Sequence, residues 1–300
     1  MKLMQILIVG TVRNCEKTLN DSIKYLDNAF KFVSKIEYLI IESDSQDNTI
    51  ECLNLIKNSK QNFNFKSFGK LRNTIPERTK RIAFCRNEYL KYLKSEKYSE
   101  VQYLVVADFD GVINEIDESN VKSSFKNLDW DVCTANCSDY YYDIYALRHP
   151  YWSPNDCWIA AKENERLGLK KSQSIFYSVY SRMINLNKYS SFIEVDSAFG
   201  GLAIYKISSI PKNAKYISVD KNNNPTCEHV LFHEFIKNSG GKIFINPQMI
   251  IGKAPHEHVR YKKHFGKIIF YFKTYIIYLL EKNQLMKLIL RNIRKIIRKK

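Results

Sequence analysis

Glycine and proline are scarce in this sequence, with ten and seven residues among 300, and tryptophan occurs only three times. Collagen-like and low-complexity chains depend on glycine repeats or proline-rich tracts, so both classes are excluded. Hydrophobic residues make up 45% of the chain and aromatic residues 13%, which excludes a disordered tail protein. The sequence therefore predicts a globular protein with one large core.

Acidic residues are also few, because 31 Asp and Glu stand against 47 Lys and Arg and give a formal net charge of +16. Such an excess suits nucleic acid, an anionic membrane surface or a substrate that carries phosphate. The charge is unevenly distributed, since residues 260–300 contain 13 Lys and Arg and a single acidic residue, Glu281. Most of the basicity therefore belongs to the last part of the chain.

The sequence lacks the ~20 consecutive apolar residues that a membrane-spanning helix requires. The first apolar run, residues 3–9, is interrupted by Gln5 and precedes no small-residue cleavage site, so we expect no secretory signal. The seven cysteines are odd in number and scattered, which is typical of a reducing compartment. Cys133 and Cys137 lack a second pair of zinc ligands, and small buried side chains are the preferred interpretation.

The basic segment has its own pattern. Between residues 285 and 298, apolar side chains share one helical face and Lys and Arg surround the other, which is typical of a helix lying on an anionic membrane. Nucleic acid is the alternative partner, but the apolar and aromatic residues 265–280 favour lipid over nucleic acid. We therefore expect a main globular domain at residues 1–259, a membrane-associating tail at residues 260–300, and a cytoplasmic protein peripheral to the inner face of the cell membrane.

Apolar runs alternate with segments of helical periodicity in the first half of the chain. Helical spacing at residues 16–33, 49–57 and 77–94 separates short apolar runs at residues 3–9, 36–41, 63–68 and 103–107. This alternation predicts an α/β fold with a mostly parallel sheet, flanking helices and ligands bound beyond the carboxyl ends of the strands. Less regular signals predict strands at residues 131–135, 200–205 and 242–245 and a helix at residues 227–238.

Two aspartates, Asp108 and Asp110, follow the run at residues 103–107. Carboxylates at this spacing can face one Mg²⁺ or Mn²⁺ ion, which would neutralise a departing diphosphate. A solvated turn is the plain alternative. A second alternative is the first motif of haloacid-dehalogenase-type phosphatases, although no paired acidic motif follows after residue 150.

Other polar clusters accompany these aspartates. Residues 11–16, 40–49 and 81–87, together with the aspartates, resemble in order the nucleotide-sugar half of type-A-fold (GT-A) glycosyltransferases. The resemblance implies a Rossmann-like sheet, a Mn²⁺ or Mg²⁺ ion held by Asp108 and Asp110, and a UDP- or GDP-linked sugar donor. The residues it implies for the donor are Thr11, Arg13, Asn14, Glu42, Arg86, Asn87 and Asp108.

The second half supplies candidates for the acceptor side. Residues 133–148, read with residues 227–247, look like the capsule-associated mannosyltransferase family and its bacterial relatives. Glu228, near a helix start, is the candidate base that takes a proton from the acceptor hydroxyl if the reaction inverts the anomeric centre, as we expect; in a retaining enzyme it could bind the acceptor instead. The other alternative is a first-turn acid favoured by the helix dipole. His256 is a third metal ligand, narrowly preferred to His258. Weaker candidates for acceptor binding are Asp143, Arg148, Gly200 and Gly201.

These patterns together predict an enzyme that moves a sugar from a nucleotide donor to a hydroxyl of a lipid-linked surface glycan of capsule or lipopolysaccharide type. The alternatives are a membrane-tethered protein that binds a nucleotide sugar or glycan without turnover, and the phosphatase. His229 and His233 share a helical face that zinc could use, but core packing or acceptor lining is preferred. The expected partners are the donor, a glycan or glycolipid acceptor and an anionic membrane surface, not nucleic acid.

Overall fold

The computed structural model describes residues 4–126 and 129–254. Strands and helices alternate through the first half, as the periodicity predicts. The helices are α1 (Leu19–Ala29), α2 (Thr49–Ser59), α3 (Arg78–Leu93), α4 (Glu118–Ser124), α5 (Cys157–Arg166), α6 (Lys171–Ser178) and α7 (Glu228–Asn238). The strands are β1 (Gln5–Val12), β2 (Lys35–Glu42), β3 (Phe63–Ser67), β4 (Tyr103–Ala107), β5 (Val132–Asn136), β6 (Ile193–Val195), β7 (Leu202–Lys206) and β8 (Ile243–Ile250).

The eight strands of this part of the chain form one sheet in the order β3-β2-β1-β4-β7-β5-β8-β6. Strands β1 to β4 are mutually parallel, and β5 and β8 pair in parallel with each other. The short β6 and the central β7 run antiparallel to their neighbours. The expected mostly parallel sheet is therefore confirmed, with β7 as the strand that joins its two halves.

Burial follows the sequence patterns that predicted these elements. Residues 6–9 of β1 are fully buried, as expected of a central parallel strand covered on both faces. Leu19, Ile23 and Leu26 place the apolar face of α1 against the sheet. Helices α4 and α5 begin at side-chain caps, because Asp117 and Asp156 accept hydrogen bonds from backbone N–H groups of the first turn. Among the described residues, no helix combines the length and the apolar character needed to traverse a bilayer.

Gly10 lies in β1 where the sheet approaches the turn that carries both aspartates. A Cβ atom at this position would come within 2.4 Å of the Phe109 ring and 2.5 Å of the Ala107 carbonyl oxygen. The backbone oxygen cannot move without disturbing β4, so we expect Gly10→Ala to lower the free energy of unfolding by about 3 kcal/mol. Urea denaturation measures this change.

Gly69→Ala is the matched control for this substitution. Gly69 has open space around it and a φ of 57°, so alanine there adds only the backbone strain of about 1 kcal/mol. A loss at Gly10 no greater than the loss at Gly69 would contradict the close packing assigned to Gly10.

Candidate active site

A cavity of about 340 Å³ opens beyond the carboxyl ends of β1, β2 and β4. Its wall is completed by the first half of α3, by residues 142–145 and by the start of α7. The location agrees with the expectation that ligands bind at the carboxyl ends of parallel strands. The predicted site residues that line the cavity are Thr11, Arg13, Arg86, Asp108, Asp110, Asp143 and Glu228.

Arginines are frequent among the residues that line the cavity. Arg13, Arg78 and Arg81 line it, as does Asp44, which was not among the predicted site residues. Asp44 has a φ of 65°, and its carboxylate is held by Arg72 Nε at 3.1 Å and by Arg81 Nε at 3.2 Å. Burial raises the pKa of Asp44, but the hydrogen bonds from Arg72 and the charge of Arg81 outweigh it and keep the pKa below its ordinary value.

Two residues that are predicted to bind the donor, Glu42 and Asn14, do not line the cavity. Glu42 is fully buried, and its carboxylate accepts hydrogen bonds from the Ser45 N–H at 2.9 Å and from the Ser67 hydroxyl. Asn14 has a φ of 56° and accepts a hydrogen bond from the Gln46 N–H at 2.7 Å. The Glu42 carboxylate therefore has both oxygens engaged within the protein, while the exposed Asn14 links the loops that follow β1 and β2.

The two aspartates occupy the turn that follows β4. The side chain of Asp108 is 29% exposed and faces the cavity, and Asp110 is exposed. Desolvation, followed by the negative charge of Asp110, raises the pKa of Asp108 to about 8. The Asp108 N–H donates to the Gly201 carbonyl oxygen at 2.9 Å, which fixes the turn against the segment that precedes β7.

This donor set fits a divalent cation that a substrate completes. Asp108, Asp110, Asp143 and Glu228 bring four carboxylates to one cavity, and like charges this close are relieved by a bound cation. Within residues 4–126 and 129–254, no group of three or more His, Cys, Asp or Glu side chains is arranged as a complete metal site. Mg²⁺ and Mn²⁺ are held by one or two carboxylates plus water and phosphate oxygens, so Asp108 and Asp110 suffice.

Arg86 and Glu228 meet at the floor of the cavity. Arg86 is 4% exposed, and its Nε donates to Glu228 Oε1 at 2.9 Å. One terminal nitrogen of the guanidinium lies 3.7 Å from Asp108 Oδ1. Glu228 is the first residue of α7, as predicted, where the helix dipole favours a negative charge.

Two other predicted residues use their polar atoms to join segments of the fold. The Asn87 amide donates to the Tyr216 carbonyl oxygen at 2.9 Å and accepts from the Tyr216 N–H at 2.8 Å. Arg148 donates to Asp156 at 2.9 Å and to the carbonyl oxygens of Tyr145 and Leu147. Neither lines the cavity, and we do not include either in the proposed ligand sites.

Asp143 and the glycine pair, which are predicted for acceptor binding, are linked by a hydrogen bond. Asp143 accepts hydrogen bonds from the N–H groups of Gly200 and Ala146. These bonds lower the pKa of Asp143, but burial outweighs them and raises the pKa above its ordinary value. Gly200 has a φ of 68° and Gly201 a φ of 89°, conformations that favour glycine. A Cβ atom at Gly200 would lie 2.7 Å from a backbone oxygen. The glycines are therefore required by the backbone path that presents Asp143 to the cavity.

A chain of buried polar side chains supports this wall. His233 lies 2.9 Å from both the Ser197 and the Tyr205 hydroxyl oxygens, and burial lowers its pKa to about 3. His229 stacks on the Phe199 ring at a centroid distance of 4.0 Å. Burial, and then the charge of Arg86, lower the pKa of His229 well below its ordinary value. Both imidazoles are therefore neutral near pH 7 and serve in packing and hydrogen bonding.

His233 gives the folding stability a pH dependence with a definite sign. Its folded pKa is depressed below 6.5, so its contribution is complete above that pH and is lost as the pH falls toward about 3. The free energy of unfolding that wild type gains over His233→Gln should shrink by about 2 kcal/mol between pH 7 and pH 5. Urea denaturation of both proteins at the two pH values measures this difference.

The comparison with His233→Gln removes a competing effect. Asp108 has a raised pKa, so it makes the folded state more stable as the pH falls, and it does so equally in both proteins. A difference in unfolding free energy that stays constant from pH 7 to pH 5 would exclude a buried neutral His233.

The pair His229 and His233 and the pair Cys133 and Cys137, for which zinc is the less favoured interpretation, have other surroundings in the described part of the chain. Both ring nitrogens of His233 are within hydrogen-bond distance of hydroxyl groups, and Cys133 and Cys137 are buried free thiols. His256, the predicted third metal ligand, lies outside the described residues, as does the predicted tail at residues 260–300.

No protein-family model matches the chain, and no curated protein sequence matches it. Solved structures do match. The mannosyltransferase PcManGT from Pyrobaculum calidifontis, in complex with GDP-Man and Mn²⁺, is 11% identical with a TM-score of 0.50, over 88% of this chain and 64% of that one. TarS from S. aureus, in complex with UDP-GlcNAc, is 12% identical with a TM-score of 0.48, over 86% of this chain and 61% of that one.

Glucosyl-3-phosphoglycerate synthase from M. tuberculosis is 13% identical with a TM-score of 0.41, over 85% of this chain and 73% of that one. The chain spans somewhat less than two thirds of the length of PcManGT and of TarS. At 11% identity, the match to PcManGT shows a shared fold and nothing further. The chain has the GT-A fold, a Rossmann-like, mostly parallel sheet with flanking helices and a cavity at the carboxyl ends of its strands.

Proposed function

We propose that this protein is a metal-dependent glycosyltransferase that moves a sugar from a nucleotide donor to an acceptor hydroxyl. The observation that carries the proposal is one cavity in which Asp108 and Asp110 follow β4 and Glu228 begins α7. A leaving diphosphate requires a nearby cation, and an attacking hydroxyl requires a base. The GT-A fold supports the proposal, and it gives no support to the phosphatase alternative.

The proposed nucleotide site is the part of the cavity lined by Thr11, Arg13 and Arg78. Both arginines are exposed and Thr11 adds a hydroxyl, while the buried Asp44 carboxylate holds Arg72 and Arg81. These groups suit the phosphates, ribose hydroxyls and base of a UDP- or GDP-linked sugar. PcManGT binds GDP-Man and TarS binds UDP-GlcNAc, which agrees with either nucleotide for this chain.

Asp108 and Asp110 would hold Mn²⁺ or Mg²⁺ beside the diphosphate, and the bound ion would neutralise the negative charge of the leaving group. We propose that Glu228 accepts the proton of the acceptor hydroxyl while the oxygen of that hydroxyl bonds to the anomeric carbon. The bond from that carbon to the diphosphate oxygen breaks, and its electron pair leaves with the nucleoside diphosphate. Attack from the face opposite the leaving group inverts the anomeric centre.

Two measurements on the whole chain test this function. Calorimetry with UDP and with GDP in the presence of Mn²⁺ reports donor binding, and nucleoside diphosphate release from a panel of UDP- and GDP-linked sugars reports turnover. Binding with release supports a transferase, while binding without release from any donor supports a nucleotide-sugar-binding protein. Absence of binding at millimolar nucleotide would remove the proposal.

We further propose that the acceptor is a surface glycan of capsule or lipopolysaccharide type, reached at the inner face of the cell membrane. The support is the pattern of residues 260–300, whose Lys and Arg each contribute on the order of 1 kcal/mol at an anionic surface. Co-sedimentation with vesicles that contain an anionic lipid, with and without residues 262–300, tests the membrane contact. Equal sedimentation of the two proteins would refute it.

A further inference from the structure

The surroundings of Arg86 differ from those of the other arginines of the cavity. Its guanidinium lies 5.2 Å from the centroid of the Phe199 ring and 5.7 Å from that of Tyr216. The three guanidinium nitrogens are directed to Glu228 Oε1 at 2.9 Å, Tyr89 Oη at 3.4 Å and Asp108 Oδ1 at 3.7 Å. Arg86 therefore makes one close hydrogen bond, to Glu228, and its other two nitrogens lie nearest to Tyr89 and Asp108.

This placement is poorly suited to a ligand of the diphosphate. A phosphate ligand must turn N–H groups toward the substrate, and Arg86 is 4% exposed while Arg13 is exposed on the same cavity. We infer that Arg86 is an internal counterion, which positions Glu228 and competes with the divalent cation for Asp108. The inference rests on the proposed function for the roles of Asp108 and Glu228.

The two parts of this role follow from charge and geometry. The 2.9 Å bond to Glu228 fixes the carboxylate at the start of α7, so loss of the guanidinium frees the base to turn away from the acceptor. The longer contact with Asp108, at 3.7 Å, partly balances a carboxylate that a divalent cation would need. Because the guanidinium of Arg86 and a divalent cation repel each other, removal of Arg86 should increase the affinity of Asp108 and Asp110 for the cation. The same change should lower turnover, because Glu228 is no longer held in position.

Tighter Mn²⁺ binding combined with slower turnover distinguishes an internal counterion from a diphosphate ligand. We expect Arg86→Gln in the full chain to bind Mn²⁺ at least about tenfold more tightly in the absence of nucleotide, measured by electron paramagnetic resonance of free Mn²⁺. Its release of nucleoside diphosphate from a nucleotide sugar should fall by about 10²-fold. A folded Arg86→Gln with unchanged or weaker Mn²⁺ binding overturns the inference.

Arg13→Gln is the matched comparison, because Arg13 lines the same cavity but is exposed. It should lose affinity for UDP or GDP while its Mn²⁺ affinity stays within about twofold of wild type, since an exposed charge is screened. If Arg86→Gln behaves in this way instead, Arg86 is a diphosphate ligand and the inference fails.

Arg86→Lys covers the case in which the glutamine variant does not fold. Lysine keeps the charge, but a single ammonium cannot span Glu228 and Asp108, so Mn²⁺ affinity should stay near wild type while turnover falls by about tenfold. Turnover equal to wild type would overturn the positioning role. If wild type binds Mn²⁺ but turns over no nucleotide sugar, the proposed function fails, and the Mn²⁺ comparison between wild type and Arg86→Gln still decides the competition for Asp108.

Discussion

Asp110→Asn is expected to lower donor turnover by about 10³-fold and to weaken Mn²⁺ binding measured without nucleotide. The exposed carboxylate of Asp110 is the more accessible of the two proposed metal ligands. Asparagine has nearly the same size, so the change removes one negative charge and little else. Nucleotide-sugar cleavage at saturating Mn²⁺ and electron paramagnetic resonance of free Mn²⁺ measure the two effects.

Asp21→Asn is the matched control for this charge change. Asp21 lies in the first turn of α1, exposed, with only a surface ion pair to Lys24, so its loss should leave turnover and Mn²⁺ binding unchanged. Retention of Mn²⁺-dependent turnover by Asp110→Asn would show that the metal is held elsewhere or is not required.

Glu228→Gln is expected to lower turnover by about 10²-fold to 10⁴-fold while nucleotide affinity stays close to wild type. Glutamine can still accept the hydrogen bond from Arg86 Nε through its amide oxygen, so the floor of the cavity should keep its shape. The substitution removes the capacity to take a proton from the acceptor. Calorimetry with UDP or GDP and Mn²⁺, beside initial rates of donor cleavage, separates binding from turnover.

Glu234→Gln provides the comparison for this second substitution. Glu234 lies on the same helix, α7, but on its exposed side, so turnover should be unchanged. Equal turnover by wild type and Glu228→Gln would show that Glu228 is not the base. Glu228 would then be only a first-turn acid paired with Arg86.

Strand and helix positions could be predicted because burial imposes a period on the chain. The run at residues 103–107 became β4 without change, and α3 and α7 begin within one residue of the predicted starts. Helices α5 and α6 were not predicted, since polar residues interrupt their apolar spacing and their packing partners are each other. An apolar periodicity arises where a helix packs against a large core, and it is weak where two short helices pack mainly against each other.

The residues that line the cavity could be predicted where backbone position alone decides which side chains reach it. Asp108 and Asp110 follow a central parallel strand, and both line the cavity. Glu42 follows the neighbouring strand, yet Ser45 and Ser67 engage its carboxylate, and Asp44 lines the cavity instead. Asp44, and not Glu42, lines the cavity because of its positive φ and its ion pairs with Arg72 and Arg81. Neither the φ nor these long-range contacts can be inferred from the local sequence.

The place of β7 in the sheet has a consequence for motion. Many enzymes close over a substrate by rotating one domain against another about a hinge. Here β7 hydrogen-bonds to β4 on one side and to β5 on the other, so the strand before Asp108 and the strand before Asp143 belong to one continuous sheet. Rotation of one half of the sheet against the other would break these strand pairs. For the proposed transfer, any closure over a sugar would therefore come from the loops at the edge of the sheet, with its two halves keeping a fixed separation.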